Sequence, residues 1–466
     1  MKYSRNNPAI RTKQSSRRLR SATGGNLKDE QPSPLDTLGT AATDWAERPR
    51  TPERRTTVTL SDLKKGGHTP SLLAAFLYFD ISFMVWVILG ALMPFISKDL
   101  HLSDATKLTL VGIPLLSAGA WRILLGVLAD RFGSRIVGIA ALFATLVPLV
   151  LGWQLGHSYG GLVCVGLLLG IAGASFAVAL PLASRWYPPH LQGIVMGIAG
   201  AGNSGTVLAT LLAPLFARSF GWQAVFGVML VPVILVLALF ALLAKDPPRA
   251  AKPAPLAHYL AAAKEPDAWW FCLLYFVTFG GFVGLSSFIN TFFVDQFHFQ
   301  KATVGLATWP FIVAGSFLRP VGGALADKLG GVKMLTAVYA TVVGAALLVA
   351  FSAQSFLPTA FALFLLMGTL GMGNGSVFQL VPQRFADRIG AMTGLVGAAG
   401  GVGGYYLNFA LGHLKEATGT YASGFIAFAL IAGTALAVLR GISPRWVQEW
   451  LGANGVVRST KGTAKA

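Results

Sequence analysis

The chain has 466 residues, 54% of them hydrophobic and 12% charged, with a mean hydropathy of +0.61. Soluble domains carry roughly 25% charged residues, so this chain has too little polar surface for a water-soluble fold. Its net charge of +18 does not indicate nucleic acid, because no aromatic residues interleave with the basic ones.

Residues 1–70 are polar and basic, with Arg17-Arg18, Arg54-Arg55 and Lys64-Lys65 among Ser, Thr and Pro. That composition predicts a disordered, topology-setting cytoplasmic tail near anionic lipid. It has no apolar core ending in a cleavage site, so no removable signal peptide is expected. Apolar runs of about 20 residues follow, the length that crosses ~30 Å of hydrocarbon. Spanning backbone is either helix or closed barrel, and long unbroken runs favour helix. The expected spans are 72–96, 108–129, 136–156, 160–183, 191–217 and 222–244, then 268–293, 303–326, 333–354, 357–382, 389–413 and 419–440.

These runs predict an all-α integral membrane protein with twelve transmembrane helices in two pseudo-symmetric six-helix bundles. The N-terminal bundle is 71–244, a cytoplasmic linker rich in Pro and charge is 245–267, the C-terminal bundle is 268–440, and a cytoplasmic tail is 441–466. Lys and Arg concentrate in the loops on one side, which places both termini in the cytoplasm by the positive-inside rule. The expected location is the cell (plasma or inner) membrane, crossed many times. The two cysteines, Cys164 and Cys272, each lie in an apolar run and are read as buried packing residues, with no disulfide framework or metal site.

The chain repeats itself. Arg122 returns as Arg319, Asp130 as Asp327 and Gly133 as Gly330, all at an offset of 197 (for example 122 to 319), and Tyr78-Phe79 returns as Tyr275-Phe276. Gly193, Gly197 and Gly200 align with Gly390, Gly394 and Gly397 at the same offset. Two parallel repeats joined by a cytoplasmic linker describe a secondary transporter rocking about a midplane site. Arg122 and Arg319 are cations within apolar helices, and Asp80 is the one carboxylate at comparable depth. The excess positive charge predicts an anionic substrate, held by planar bidentate donors.

The turns Gly126…Asp130-Arg131-Phe132-Gly133-Ser134-Arg135 and Gly323…Asp327-Lys328-Leu329-Gly330 share one pattern. Their aspartates are expected to accept from a neighbouring helix N-terminus or from Arg135, latching one conformer. Glycine-rich stretches include Gly200, Gly202 and Gly205 around Asn203, and Gly400, Gly401 and Gly403. They serve either close helix packing or the bending of a rocking helix.

The paired turns resemble the hallmark motif of the major facilitator superfamily. Gly368 to Pro382, Gly202-Asn203-Ser204-Gly205, Gly170 to Phe176 and Phe79 to Trp86 resemble, within it, the nitrate/nitrite porter family, over about residues 70–440. The resemblance implies a transporter and not an enzyme, with no cofactor. It implies a planar anion held between Arg122 and Arg319 and two rings, Phe176 and Phe279, with Tyr275 and Asn203 as polar ligands. Span 4 is poorer in asparagine than in nitrate/nitrite exchangers and is more similar to proton-coupled nitrate importers. Asp80 is then either the proton carrier or a salt-bridge partner of Arg122. The expected function is nitrate uptake, and possible nitrite uptake with it, by alternating access, through a monomer embedded in the lipid bilayer. Proton symport is favoured, with nitrate/nitrite exchange or transport of another small anion as alternatives.

Overall fold

The computed structural model describes Leu63 and residues 65–247, 263–385 and 389–451. Most of the expected N-terminal tail and linker, and the last part of the C-terminal tail, lie outside those residues. The helices in chain order are α1 (Thr69–Trp86), α2 (Ile88–Asp99), α3 (Asp104–Phe132), α4 (Ser134–Leu155), α5 (Tyr159–Gly173), α6 (Phe176–Ser184) and α7 (Pro189–Gly200). A 3-10 turn, Ala201–Ser204, leads into α8 (Gly205–Phe220) and α9 (Trp222–Leu243). The second half holds α10 (Pro266–Phe297), α11 (Val304–Leu329), α12 (Gly331–Ser352), α13 (Phe356–Arg384), α14 (Ile389–Thr418) and α15 (Ala422–Glu449).

Among the described residues, eleven helical stretches are long and apolar enough to cross a membrane. The glycine-rich α14 occupies the place of the twelfth expected span and packs along α3 and α10. Three first-half spans are interrupted where the backbone hydrogen-bond ladder changes. The first breaks at Val87, the fourth at Ala174-Ser175, and the fifth at the 3-10 turn. The last helix runs on past the expected end at 440 to Glu449, because Trp446 is buried there and its indole N–H donates to Asp267 at 2.9 Å.

The internal repeat is written into the backbone. Gly133 (φ +90°) and Gly330 (φ +94°) turn the chain between α3 and α4 and between α11 and α12, a conformation open to glycine at little cost. His101 (φ 49°) and His298 (φ 56°) are paired in the same way, as are Gly221 (φ 82°) and Gly419 (φ 74°). These turn residues of the first half return at or within one residue of their equivalent positions in the second, whereas the three span interruptions do not.

The two ends of the bundle differ. At the end opposite the Gly133 and Gly330 turns, called here the far end, the halves are clamped together. Lys107 of α3 meets Asp295 of α10 at 2.5 Å, and Lys415 of α14 reaches both Asp104 and Asp295 at 3.3 Å. The Tyr421 hydroxyl donates to Asp295 at 2.7 Å, and the Ala105 N–H donates to Glu416 at 2.8 Å. In the loop beside this cluster, burial and the neighbouring Lys98 hold the Lys301 ammonium below its usual range. Deeper in, the buried Asn290 of α10 accepts from Thr308 at 2.6 Å and donates to the carbonyls of Thr210 (3.3 Å) and Ala91 (3.5 Å), tying the halves again.

At the turn end, Asp130 pairs with Arg185, at the end of α6, at 2.6 Å. Arg135, one of the two expected partners, turns its guanidinium to the Ala241 carbonyl at 2.8 Å, capping α9. The cap follows from chain geometry, since Arg135 opens α4 where the unsatisfied carbonyls of α9 end. Cys272 is buried as expected, but Cys164 is exposed on the outer face of α5. An apolar run places a thiol in the membrane without deciding whether it faces lipid or protein.

Candidate anion site

Arg122 is 2% exposed and has no carboxylate partner among the described residues. Its Nε donates to the Gly173 carbonyl at 3.0 Å and its Nη1 to the Gly397 carbonyl, while its Nη2 has no protein partner. The break between α5 and α6 supplies the first of these carbonyls, since a helix end leaves carbonyls unbonded. A side chain begun at Gly397 on α14 would stand 3.7 Å from the Arg122 stem, an ordinary contact. The alternative of an Arg122–Asp80 salt bridge is therefore not realised.

Arg319, at the equivalent place on α11, is hydrogen-bonded with the Tyr275 hydroxyl and leaves its Nη1 without a protein partner.

Aromatic rings join them. Arg122 lies 5.0 Å from the Phe279 ring centre and 5.2 Å from that of Trp86. Arg319 lies 5.6 Å from Phe176 and 5.9 Å from Phe378, both within cation–π reach. Tyr275 stacks on Phe279 at 4.9 Å and meets Phe378 edge-on at 4.9 Å. Phe378 touches Phe176, Phe176 touches Phe79, and Phe79 leads through Phe83 to Trp86, which lies parallel to Phe279 at 6.4 Å. The contacts thus form a closed circuit of rings drawn from both halves. The sequence reading named Phe176, Phe279 and Tyr275, and the structure brings all three together. It did not assign Trp86 or Phe378; their places inside the quoted motif stretches were the only signal.

Polar atoms without protein partners gather in the same region. They include both amide atoms of Asn203 and of Asn374, and the hydroxyls of Ser175 and Ser316, all on buried residues. Buried donors and acceptors are ordinarily paired, so this concentration marks a place built for a polar guest. Asn374 and Ser316 were not singled out from sequence, because one amide or hydroxyl in a helix carries no signal by itself.

A cavity of about 450 Å³ leads from this region toward the turn end, lined by Phe176, Gly200, Arg319, Gln379 and, at its far reach, Asp327. The glycines divide by role. Gly200 borders this open space, whereas a side chain on Gly400 would strike Tyr275 and Phe279, and one on Gly401 the Leu115 carbonyl. Gly202, Gly205 and Gly403 carry backbone-close contacts to Phe79, Asp80 and Phe276. Asp80 accepts from the Ser204 hydroxyl at 2.6 Å. Arg131 lies over its neighbour Phe132 at the turn.

The model of the Major Facilitator Superfamily matches residues 74–407. A nitrite extrusion protein of Bacillus subtilis is 34% identical over 350 residues, which is 75% of this chain and 88% of that protein. The chain belongs to the nitrate/nitrite porters of the major facilitator superfamily. A probable nitrate/nitrite transporter of Mycobacterium tuberculosis is 34% identical over 74% of this chain and 89% of its own length. A probable nitrate/nitrite antiporter of Thermus thermophilus is 32% identical over 76% and 87%. Among solved structures, a partially occluded, inward-open xylose transporter from E. coli superposes with a TM-score of 0.65 at 15% identity, covering 81% of this chain and 98% of that one. A bacterial homologue of the lysosomal transporter Spinster, inward-facing and occupied, gives 0.63 at 20% identity, covering 81% and 97%. These two share the fold. Members of this family are membrane transporters, and the multi-pass architecture of this chain is theirs.

Proposed function

We propose that this transporter imports nitrate, and nitrite with it, by alternating access, with Arg122 and Arg319 as the anion's principal ligands. The single observation behind this reading is that two guanidinium groups from opposite halves, Arg122 buried and Arg319 half-buried beside the cavity, lack carboxylate partners among the described residues and each keep a covered N–H without a protein partner. A flat oxyanion satisfies both through parallel N–H···O bonds. Phe176 and Phe279 flank the two arginines, and Tyr275 and Asn203 supply neutral polar atoms. The names of the curated relatives support nitrate and nitrite as the anions.

In this reading the turn end is cytoplasmic, both termini lie inside, and the clamped far end faces out. The conformer is then inward-facing, with the cavity beneath Arg319 as the route of release. The protein works as a monomer, since one pair of bundles carries a complete pathway. Drawing one negative charge inward against the membrane potential costs about 2.3 kcal/mol per 100 mV. Symport with more than one proton makes uptake favourable, and Asp80 is the carboxylate within the first span available to carry one.

The test is nitrate uptake into proteoliposomes, driven by an imposed pH gradient in one set and by internal nitrite in another. Arg122→Lys and Arg319→Lys are run beside the natural protein, since lysine keeps the charge and loses the planar fork. Uptake that follows the pH gradient and collapses in both variants supports the proposal. Uptake that needs internal nitrite establishes exchange instead, and transport that survives both substitutions removes the arginines from the site.

A further inference from the structure

Asp80 sits where α1 crosses the interruption of the fifth span. The crossing is close because the fifth span has no side chains there: a side chain on Gly202 would strike the Phe79 ring at 2.7 Å, and one on Gly205 would run into the Asp80 carbonyl. The Asp80 carboxylate accepts from the Ser204 hydroxyl at 2.6 Å and from the Gly205 backbone N–H. It therefore occupies the point where the 3-10 turn Ala201–Ser204 becomes the first turn of α8, beside a Gly205 N–H that also turns back toward the Gly202 and Asn203 carbonyls. The Ser204 hydroxyl is also within 2.8 Å of the Ala201 carbonyl, so the carboxylate and the turn share one hydroxyl.

The residue inside this turn is Asn203. Its side chain is 1% exposed, and neither its amide oxygen nor its amide nitrogen has a protein partner. Its backbone carbonyl is held by the Thr206 hydroxyl at 2.6 Å. The Asn203 peptide is thus fixed on one side by Thr206 and on the other by the Asp80–Ser204 pair, while the side chain is left for a guest. Without that second tether, the Gly-rich turn has many backbone states open to it.

We propose that Asp80 is a positioning residue: by holding Ser204 and the Gly205 N–H, it fixes the 3-10 turn and so sets the Asn203 amide on the bound anion. This rests on the anion-site reading above and deepens it. The effect runs through acceptor geometry, so an asparagine at 80, which retains one carbonyl oxygen, substitutes for the carboxylate.

Nitrate binding to the purified full-length protein by isothermal titration tests the link, together with hydrogen–deuterium exchange of the peptide covering 200–206. Asp80→Ala and Asn203→Ala should each weaken nitrate binding about tenfold, the worth of one hydrogen bond to a charged group. The double variant should be no weaker than the worse single one, because both changes remove the same contact. Ser204→Ala should weaken binding in the same direction, and Asp80→Asn should bind within threefold of the natural protein. Exchange at 200–206 should quicken in Asp80→Ala and Ser204→Ala but not in Asp80→Asn. Losses that multiply in the double variant, or an Asp80→Asn protein as weak as Asp80→Ala, would overturn the proposal. If Asp80→Ala does not fold, Ser204→Ala and its double with Asn203→Ala carry the same comparison. Should the natural protein bind no nitrate, the anion reading fails, while the exchange pattern still decides whether Asp80 fixes the turn.

Discussion

Lys107 and Asp295 belong to opposite halves of the chain and meet at 2.5 Å, with the lysine side chain 8% exposed. Asp104 and Lys415 close the group into a four-charge cluster across the interface. Such a contact exists only while the far end is shut, so its free energy belongs to one conformer alone. Asp295→Asn should lift the open-far-end population about tenfold, since hydrogen bonds to charged groups contribute roughly 1.5–3 kcal/mol. Spin labels on Phe220→Cys and Gln300→Cys, in a protein with Cys164 and Cys272 replaced by serine, should then report a longer distance. An unchanged distance distribution would show that the cluster is not what holds this end closed.

Two ion pairs near the turn end look alike in sequence but should behave differently. Asp130 and Arg185 have side chains 22% and 32% exposed, and pairs in such surroundings contribute about 0–1 kcal/mol. Asp267 is 1% exposed and takes both the Arg384 Nε at 2.6 Å and the Trp446 indole N–H. Removing Arg384 strands a buried carboxylate, a loss of roughly 3–5 kcal/mol. In a thermal melt in detergent, Arg384→Ala should be strongly destabilised and Arg185→Ala nearly unchanged. Adding Asp267→Asn to Arg384→Ala should recover part of the loss, because it removes the stranded charge. Equal melting temperatures for the two arginine variants would contradict this ranking.

The glycines allow a similar contrast. A methyl group on Gly205 collides with the Asp80 carbonyl, whereas one on Gly200 has nothing within 4 Å and enters the cavity instead. Overpacking between two backbones costs about 1–3 kcal/mol or more. Gly205→Ala should therefore lower the melting temperature, and Gly200→Ala should leave it in place while slowing uptake by narrowing the route beneath Arg319. A slow, unstable Gly200→Ala protein would mean that the cavity closes over that residue in the resting state.

The twofold repeat was readable in sequence because its register is exact over Arg122, Asp130 and Gly133; the paired positive-φ residues restate it in the backbone. The arginines were legible for a physical reason, that a charge among twenty apolar residues needs a purpose. Their partners were not. Gly173 and Gly397 serve through backbone carbonyls, which no residue type announces, and Asp130 found Arg185 where Arg135 was nearer in sequence. Phenylalanine is too common here, at 31 residues, for Phe378 to stand apart before the fold sets it against Arg319. The glycine-rich spans also diverged in a way that their similar composition hid. The fifth breaks at Ala201–Ser204, where Asp80 receives the break, while α14 runs unbroken from Ile389 to Thr418.

The two arginines are held by different means, and that asymmetry is measurable. Arg122 is gripped by two carbonyls and flanked by Trp86 and Phe279, while Arg319 is met by the Tyr275 hydroxyl. Tyr275→Phe keeps the stack on Phe279 and removes that hydroxyl alone. Freed from it, Arg319 gains side-chain freedom that binding must again take away, a cost on the order of 1 kcal/mol, added to the loss of any bond from the hydroxyl to the anion. The KM for nitrate uptake should rise about tenfold with maximal rate and melting temperature little changed, because the ring circuit and the Arg122 grip remain intact. A fall in maximal rate at constant KM would place Tyr275 in the conformational step and leave the anion to the arginines.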